Sequence, residues 1–162
     1  MAFQSTWYFT RLPQQVVDIL DKEVTEEGTI PDTHWIGGFI WHYILRANRE
    51  NFLYDISHLD RNSIKYKVYN KGEGQNWHVD AKPVESNDED VRKLSFTIQL
   101  SNVDDYEGGN VELLDEADNK YYLPRDRGVV IVFDSRTQHR VEKIIEGTRK
   151  SLVGWCIGPQ WK

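Results

Sequence analysis

Apolar residues recur at helical spacing along the first third of the chain and at strand spacing along the rest. Between positions 13 and 27, Val16, Val17, Leu20 and Val24 fall on one side of a helix. Pro13 suits its first turn and Gly28 its stop. Phe39, Ile40, Tyr43, Ile44 and Ala47 mark a second helix over 39–51, with Gly37 and Gly38 just before it. Beyond residue 51 the period shortens to two. Strands are expected at 52–57, 63–70, 77–80, 93–101, 109–114, 119–123, 128–134, 138–144 and 149–157. Turn residues separate them: Gly72 to Gly74, Gly108 and Gly109, Asp126 to Gly128, Glu146 and Gly147. Two helices and then many short strands predict a mainly β jelly roll, with the N-terminal helices packed on one sheet. The 162 residues suffice for one domain, with helical support over 1–51 and a β core over 52–160.

Composition narrows the function classes. With 39% hydrophobic and 28% charged residues the chain is an ordinary globular protein. A net charge of −6 leaves no electrostatic footprint for nucleic acid. The single cysteine, Cys156, has no internal partner, which fits a reducing, cytoplasmic compartment. No basic and apolar leader precedes the first helix, and no run of about 18 apolar residues offers a membrane span. Six Trp and eight Tyr are mostly core filling, with a substrate groove as the alternative for the rest. Residues 81–92, polar and acidic, read as a solvated surface loop or as a lid over a site.

The candidate chemistry centres on His78 and Asp80. Two residues apart on a strand, they face the same way. A second imidazole, His139, follows 59 positions after Asp80 in another strand-like segment. Two imidazoles and a carboxylate occupy one face of a metal and leave the others open, the facial triad of non-haem Fe(II) oxygenases. Mn(II) and Zn(II) also suit these donors, but the His-Glu-x-x-His pattern of zinc proteases is absent. His34, His42 and His58 have no spaced partner, and His42 reads as packing. Arg149 follows beyond the Glu146-Gly147 turn and shares a strand face with Ser151. A guanidinium fork beside a hydroxyl suits a carboxylate, and inside a barrel it needs an anion such as a dicarboxylate co-substrate. The plainer alternative is a surface charge next to Lys150.

Tyr69-x8-His78-x-Asp80, Leu94 to Ser101, Asp105-Tyr-Glu-Gly-Gly109, His139-Arg-Val141 and Gly147-Thr-Arg149, ending at Trp155, together form a recognisable series. It resembles the Fe(II)- and 2-oxoglutarate-dependent dioxygenases of the prolyl-4-hydroxylase superfamily, and most nearly the bacterial PKHD-type hydroxylases, over roughly 63–157. The resemblance implies a double-stranded β-helix with iron between its sheets. It implies His78, Asp80 and His139 as iron ligands and Arg149 as the partner of the distal carboxylate of 2-oxoglutarate. Tyr69 matches a tyrosine that contacts the co-substrate, although it shares a strand face with Lys65 and Lys67. Gln99 stands where several relatives carry a co-substrate-binding tyrosine, and Ser151 is a further candidate through its shared face with Arg149. Trp155 either walls the co-substrate pocket or packs in the core. The implied cofactors are Fe(II), 2-oxoglutarate and O2, with ascorbate as an accessory reductant. The implied substrate is a peptidyl prolyl residue or a small molecule. Two other readings remain open at this point: a cupin-like metal enzyme without 2-oxoglutarate, and a non-enzymatic jelly-roll binding module.

Overall fold

The computed structural model describes residues 6–81, 83–84 and 87–161. Strand β1 (Trp7–Arg11) precedes helix α1 (Gln14–Glu23), β2 (Gly28–Thr29), helix α2 (Trp35–Ala47) and a π-helical turn at Asn48–Phe52. The strands that follow are β3 (His58–Leu59), β4 (Lys65–Tyr69), β5 (Gln75–His78), β6 (Pro83–Val84) and β7 (Asn87–Gln99). Then come β8 (Tyr106–Gly108), β9 (Val111–Leu114), β10 (Lys120–Tyr122) and β11 (Val129–Asp134). Strands β12 (Gln138–Val141), β13 (Ile144–Gly147) and β14 (Arg149–Pro159) complete the order.

The long sheet runs β1-β11-β7-β14-β4-β2, with β3 paired to β14 and β6 to β7. The short sheet runs β10-β9-β12-β5, and β8 pairs with β13 as a separate ribbon. From β4 to β14 the chain crosses repeatedly between the sheets, with β4, β7, β11 and β14 in the long one and β5, β9 and β12 in the short one, the wiring of a double-stranded β-helix. Helices α1 and α2 back the long sheet. Val17 and Leu20 of α1, and Ile36, Ile40, Ile44 and Ala47 of α2, are fully buried against Leu94, Phe96, Ile98, Leu152 and Cys156. Each such aliphatic side chain contributes roughly 1.5–3 kcal/mol when withdrawn from water. No helix among the described residues is long and apolar enough to cross a membrane.

Several boundaries differ from the sequence expectation for local reasons. Helix α1 stops at Glu23, because Val24 turns extended and buries its side chain in the core. Gly28 therefore opens β2 and does not stop the helix. Helix α2 begins at Trp35, where His34 Nδ1 accepts the Ile36 N–H at 3.1 Å. Gly37 and Gly38 lie inside it, and Gly37 is buried facing Ile64 and Leu59. The strand expected at 52–57 is absent. Leu53 takes a left-handed conformation, and the Asn48 side chain bonds both the N–H and the carbonyl of Tyr54. Strand β1, which the sequence reading placed nowhere, pairs with β11 and forms one edge of the long sheet.

The segment 81–92 is not an unstructured loop: Pro83 pairs with Val91 and Val84 with Asn87. The lid reading also involves Lys82, Glu85 and Ser86, which lie outside the described residues. At the other end of the cavity, Gly147 (φ 82°) has no room for a side chain, since a Cβ there would lie 2.1 Å from the Asp105 carbonyl oxygen. That contact seats the β8–β13 ribbon immediately before Arg149.

Candidate metal centre and co-substrate cavity

His78 and His139 are direct cross-strand neighbours in the β5–β12 pair. Their rings lie 4.1 Å apart, and Phe133 packs against His139 at 4.7 Å. Strand β5 ends at His78, so Asp80 is not carried by the strand itself as the sequence reading supposed. It is held instead by the Ser135 carbonyl, which accepts the N–H groups of Asp80 at 2.9 Å and Ala81 at 2.8 Å. The result is the expected convergence. Asp80 Oδ1 is 3.4 Å from His78 Nε2, and Oδ2 is 3.4 Å from His139 Nε2. One potential donor atom from each residue lies within 4.8 Å of the others.

Both rings are oriented by the main chain. His78 Nδ1 is 2.7 Å from the Asn76 carbonyl and His139 Nδ1 is 3.0 Å from the Thr137 carbonyl. A carbonyl can only accept, so each Nδ1 carries a proton and each Nε2 is turned to the common centre, where a metal would take its lone pair. The Ser95 hydroxyl donates to Asp80 at 2.7 Å and contacts the Ser135 hydroxyl at 2.9 Å. Burial opposes ionisation of Asp80. Hydrogen bonding and charge from His139, with contributions from Trp155 and Ser95, overcome it and hold the carboxyl well below the usual range. A carboxylate and two imidazoles whose Nε2 atoms face it make a donor set suited to a divalent first-row metal.

These donors open on a cavity of about 320 Å³ between the two sheets. Its long-sheet wall is formed by alternate residues of three strands: Lys65, Lys67 and Tyr69 of β4, Ser95 and Thr97 of β7, and Arg149, Ser151, Val153 and Trp155 of β14. Tyr69 pairs with Arg149, and Ser95 with Trp155, so the strand register runs from the arginine to the metal donors. Arg149 is 4% exposed and, among the described residues, makes no ion pair. Burial pushes its guanidinium down, with Tyr106 and Tyr69 opposing. Its Cζ lies 5.6 Å from the Tyr69 ring centre. Burial likewise pushes the Tyr69 phenol up, with Arg149 working against it. Ser151 Oγ is buried without a hydrogen-bond partner. An orphaned hydroxyl and a guanidinium without an ion pair along one wall are the groups an anionic ligand would satisfy.

His78, Asp80, His139, Arg149, Tyr69 and Ser151 therefore come together around one cavity. Gln99 does not line it. It lies behind the arginine, buried, and its amide donates to the Tyr106 hydroxyl at 2.9 Å. Sequence reasoning missed Ser95 and Ser135, which hold Asp80, and Tyr106, which touches Arg149. One signal was available: Ser95, Thr97 and Gln99 alternate with Leu94, Phe96 and Ile98, so the strand's second face is polar without being exposed.

The family model described as the 2OG-Fe(II) oxygenase superfamily matches residues 64–157, more than half of the chain and the whole of this cavity wall. The chain belongs to the 2OG-Fe(II) oxygenase superfamily. A PKHD-type hydroxylase of Synechococcus sp. (strain CC9605) is 37% identical over 84 residues, covering 52% of this chain and 36% of the relative. Another, of Prochlorococcus marinus (strain AS9601), is 40% identical over 95 residues, covering 57% and 40%. The chain thus spans less than half the length of these curated relatives. Among solved oxygenase structures, a Pseudomonas putida prolyl-4-hydroxylase superposes with a TM-score of 0.69 at 17% identity, covering 93% of this chain and 84% of the other. The viral collagen prolyl hydroxylase of Paramecium Bursaria Chlorella virus-1 gives a TM-score of 0.71 at 15% identity, covering 97% of both chains. At these identities the two structures establish the shared fold alone, a double-stranded β-helix.

Proposed function

We propose that the protein is an Fe(II)- and 2-oxoglutarate-dependent dioxygenase that hydroxylates a prolyl residue of a peptide, working as one catalytic domain. The observation that carries this reading is the pairing, in one cavity, of the His78–Asp80–His139 donor cluster with a buried Arg149 that has no counter-charge among the described residues. A cupin-like metal enzyme without a dicarboxylate co-substrate would leave that cation uncompensated. Relatives named as PKHD-type hydroxylases and solved prolyl hydroxylases of the same fold support the prolyl substrate class. The net charge of −6 weighs against a nucleic-acid substrate. A cytoplasmic setting fits the one cysteine, Cys156, whose buried thiol is pushed up to about 12.

In this reading His78 Nε2, His139 Nε2 and the Asp80 carboxylate hold the iron, and the Asn76 and Thr137 carbonyls fix the ring tautomers. Ser95 keeps Asp80 turned towards the centre. Arg149 receives the distal carboxylate of 2-oxoglutarate, with Ser151 and Tyr69 donating beside it. Gln99 and Tyr106 position the guanidinium from behind. When bound, iron, 2-oxoglutarate and O2 supply the oxidising power that places a hydroxyl on the substrate and releases succinate and CO2, with ascorbate as an accessory reductant. The chain's own contribution is orientation and a cavity lined with apolar surface from Phe133, Val153 and Trp155.

The test is succinate formation by anaerobically iron-loaded protein exposed to air with 2-oxoglutarate and a panel of prolyl peptides. Wild type should form succinate, and His139→Ala should lose more than about 100-fold, beyond the loss typical of a group behind the ligands. Iron bound without succinate under any condition would favour the reading without 2-oxoglutarate. Failure to bind iron would favour a binding module.

A further inference from the structure

The cavity carries more positive charge than the proposed co-substrate neutralises. Lys65, Lys67 and Tyr69 alternate along β4, and all three line the cavity. Lys67 pairs with Ser151 and Lys65 with Val153, so the two ammonium groups follow Arg149 in the direction of Trp155. Both lysines are half-buried, and among the described residues neither makes an ion pair. The other cations of the wall are committed. Arg92 pairs with Asp60 at 3.0 Å and stacks on Trp155 at 4.1 Å, and Arg149 takes one end of the co-substrate in the reading above. Among the described residues, the only carboxylate lining the cavity is Asp80, which belongs to the metal centre. Two ammonium groups partly withdrawn from water, with no counter-charge among the described residues, are costly until an anion arrives. A lysine is a compact charge on a flexible stem, able to follow an acid whose position varies with the substrate.

We propose that the primary substrate carries a carboxylate and that Lys65 and Lys67 receive it beside the reacting carbon. The proposal rests on the 2-oxoglutarate-dependent reading and names a substrate class for it. The carboxylate has two possible sources: an Asp or Glu side chain next to the target residue of a peptide, or the free α-carboxylate of a small amino acid. In either case the lysines act as specificity determinants and take no part in holding the metal.

The test uses Mn(II)-loaded, 2-oxoglutarate-saturated protein without O2, and calorimetry as the readout. One arm compares prolyl peptides carrying Asp or isosteric Asn beside the proline. The other compares free L-proline with L-prolinamide. The acid should bind about tenfold or more tightly than its neutral counterpart in one arm, which identifies the source. In the Lys65→Met/Lys67→Met protein that preference should vanish while 2-oxoglutarate affinity stays within about twofold, since an exposed or half-exposed ion pair is worth about that much or less at a distance. A Lys65→Glu/Lys67→Glu protein should instead prefer the peptide with Lys in place of Asp. Equal binding of acid and neutral forms in both arms, or no binding of either acid, overturns the proposal. So does a preference that survives in the Met variant, or a lysine change that weakens 2-oxoglutarate and not the substrate. Wild type that takes up neither Mn(II) nor 2-oxoglutarate before substrate is added overturns the underlying reading as well, and is distinguishable from these by that first titration.

Discussion

Strands β7 and β14 each have two faces that are equally hidden from water and chemically opposite. On the helix side lie Leu94, Phe96, Ile98, Leu152 and Cys156, all 2% exposed or less. On the cavity side lie Ser95, Thr97, Gln99, Arg149 and Ser151, none more than 9% exposed. Burial on the first face stabilises, because apolar area leaves water and nothing polar is stranded. Burial on the second opposes folding, because Ser151 Oγ and Arg149 lose water without gaining a protein partner that offsets it. The sheet is thus held by one side and used on the other. Buried polar residues on the second face mark the site more sharply than depth alone.

The comparison breaks if the two faces respond alike to substitution. Leu152→Ala should cost about 2–5 kcal/mol in denaturant unfolding while leaving metal affinity per folded molecule unchanged. On the opposite face, Arg149→Met should weaken 2-oxoglutarate binding by about 10–100-fold, as expected for a lost charge-assisted hydrogen bond. The same change should make the ligand-free protein more stable by at least about 1 kcal/mol, because a buried unpaired cation disappears. A ligand-free Arg149→Met protein that melts earlier than wild type would show that the guanidinium is already compensated.

Two smaller effects sharpen the contrast. The helix-side face ends in one charged group, Asp134, bonded by Tyr54 at 2.6 Å and by Arg136 at 2.7 Å. Burial would raise its carboxyl, but Arg136 and Tyr54 outweigh burial and hold it below the ordinary range. A depressed folded-state pKa contributes stability that is present above about pH 4 and drains away as pH falls through the lower folded-state value. Asp134→Asn should therefore cost about 1.5–3 kcal/mol near neutrality and flatten the stability profile below about pH 5. Ser151→Ala should change stability by less than about 1 kcal/mol in either direction, since its hydroxyl has no protein partner to lose. Its effect should appear as a few-fold loss in 2-oxoglutarate affinity, measured on the metal-loaded protein.

The donor cluster was legible because the chemistry needs particular residue types in a particular order, and His78, Asp80 and His139 keep both. What supports it was less so. Asp80 is turned inward by Ser135 and Ser95, and serines at those positions carry no signature of their own. Lys65 and Lys67 made the Tyr69 face look solvent-directed, yet both line the cavity. Charge suggests a surface only where the opposite sheet leaves room for one. Among the helices, Gly37 and Gly38 stand before the expected start, but the His34 ring caps the Ile36 N–H and starts the helix at Trp35, ahead of them. The alternation of Phe52, Tyr54 and Ile56 imitated a strand, while the Asn48 amide had already claimed the Tyr54 backbone. In both cases a contact distant in space or made by a side chain overrode the local period.

The direct opposition of His78 and His139 has a consequence for one edge strand of the short sheet. Strand β5 is four residues long, lies at the sheet edge and is exposed at Gln75, Asn76 and Trp77. Little apolar contact tells it which of two registers to adopt, and a slip by one residue would turn His78 to the outer face. An ion held by His78 on this strand and His139 on the next would act as a staple across the rung, tying alignment to occupancy. Amide exchange along Gln75–His78 should then slow on metal loading more than anywhere else in the short sheet, making this edge strand the protein's own gauge of whether it is armed.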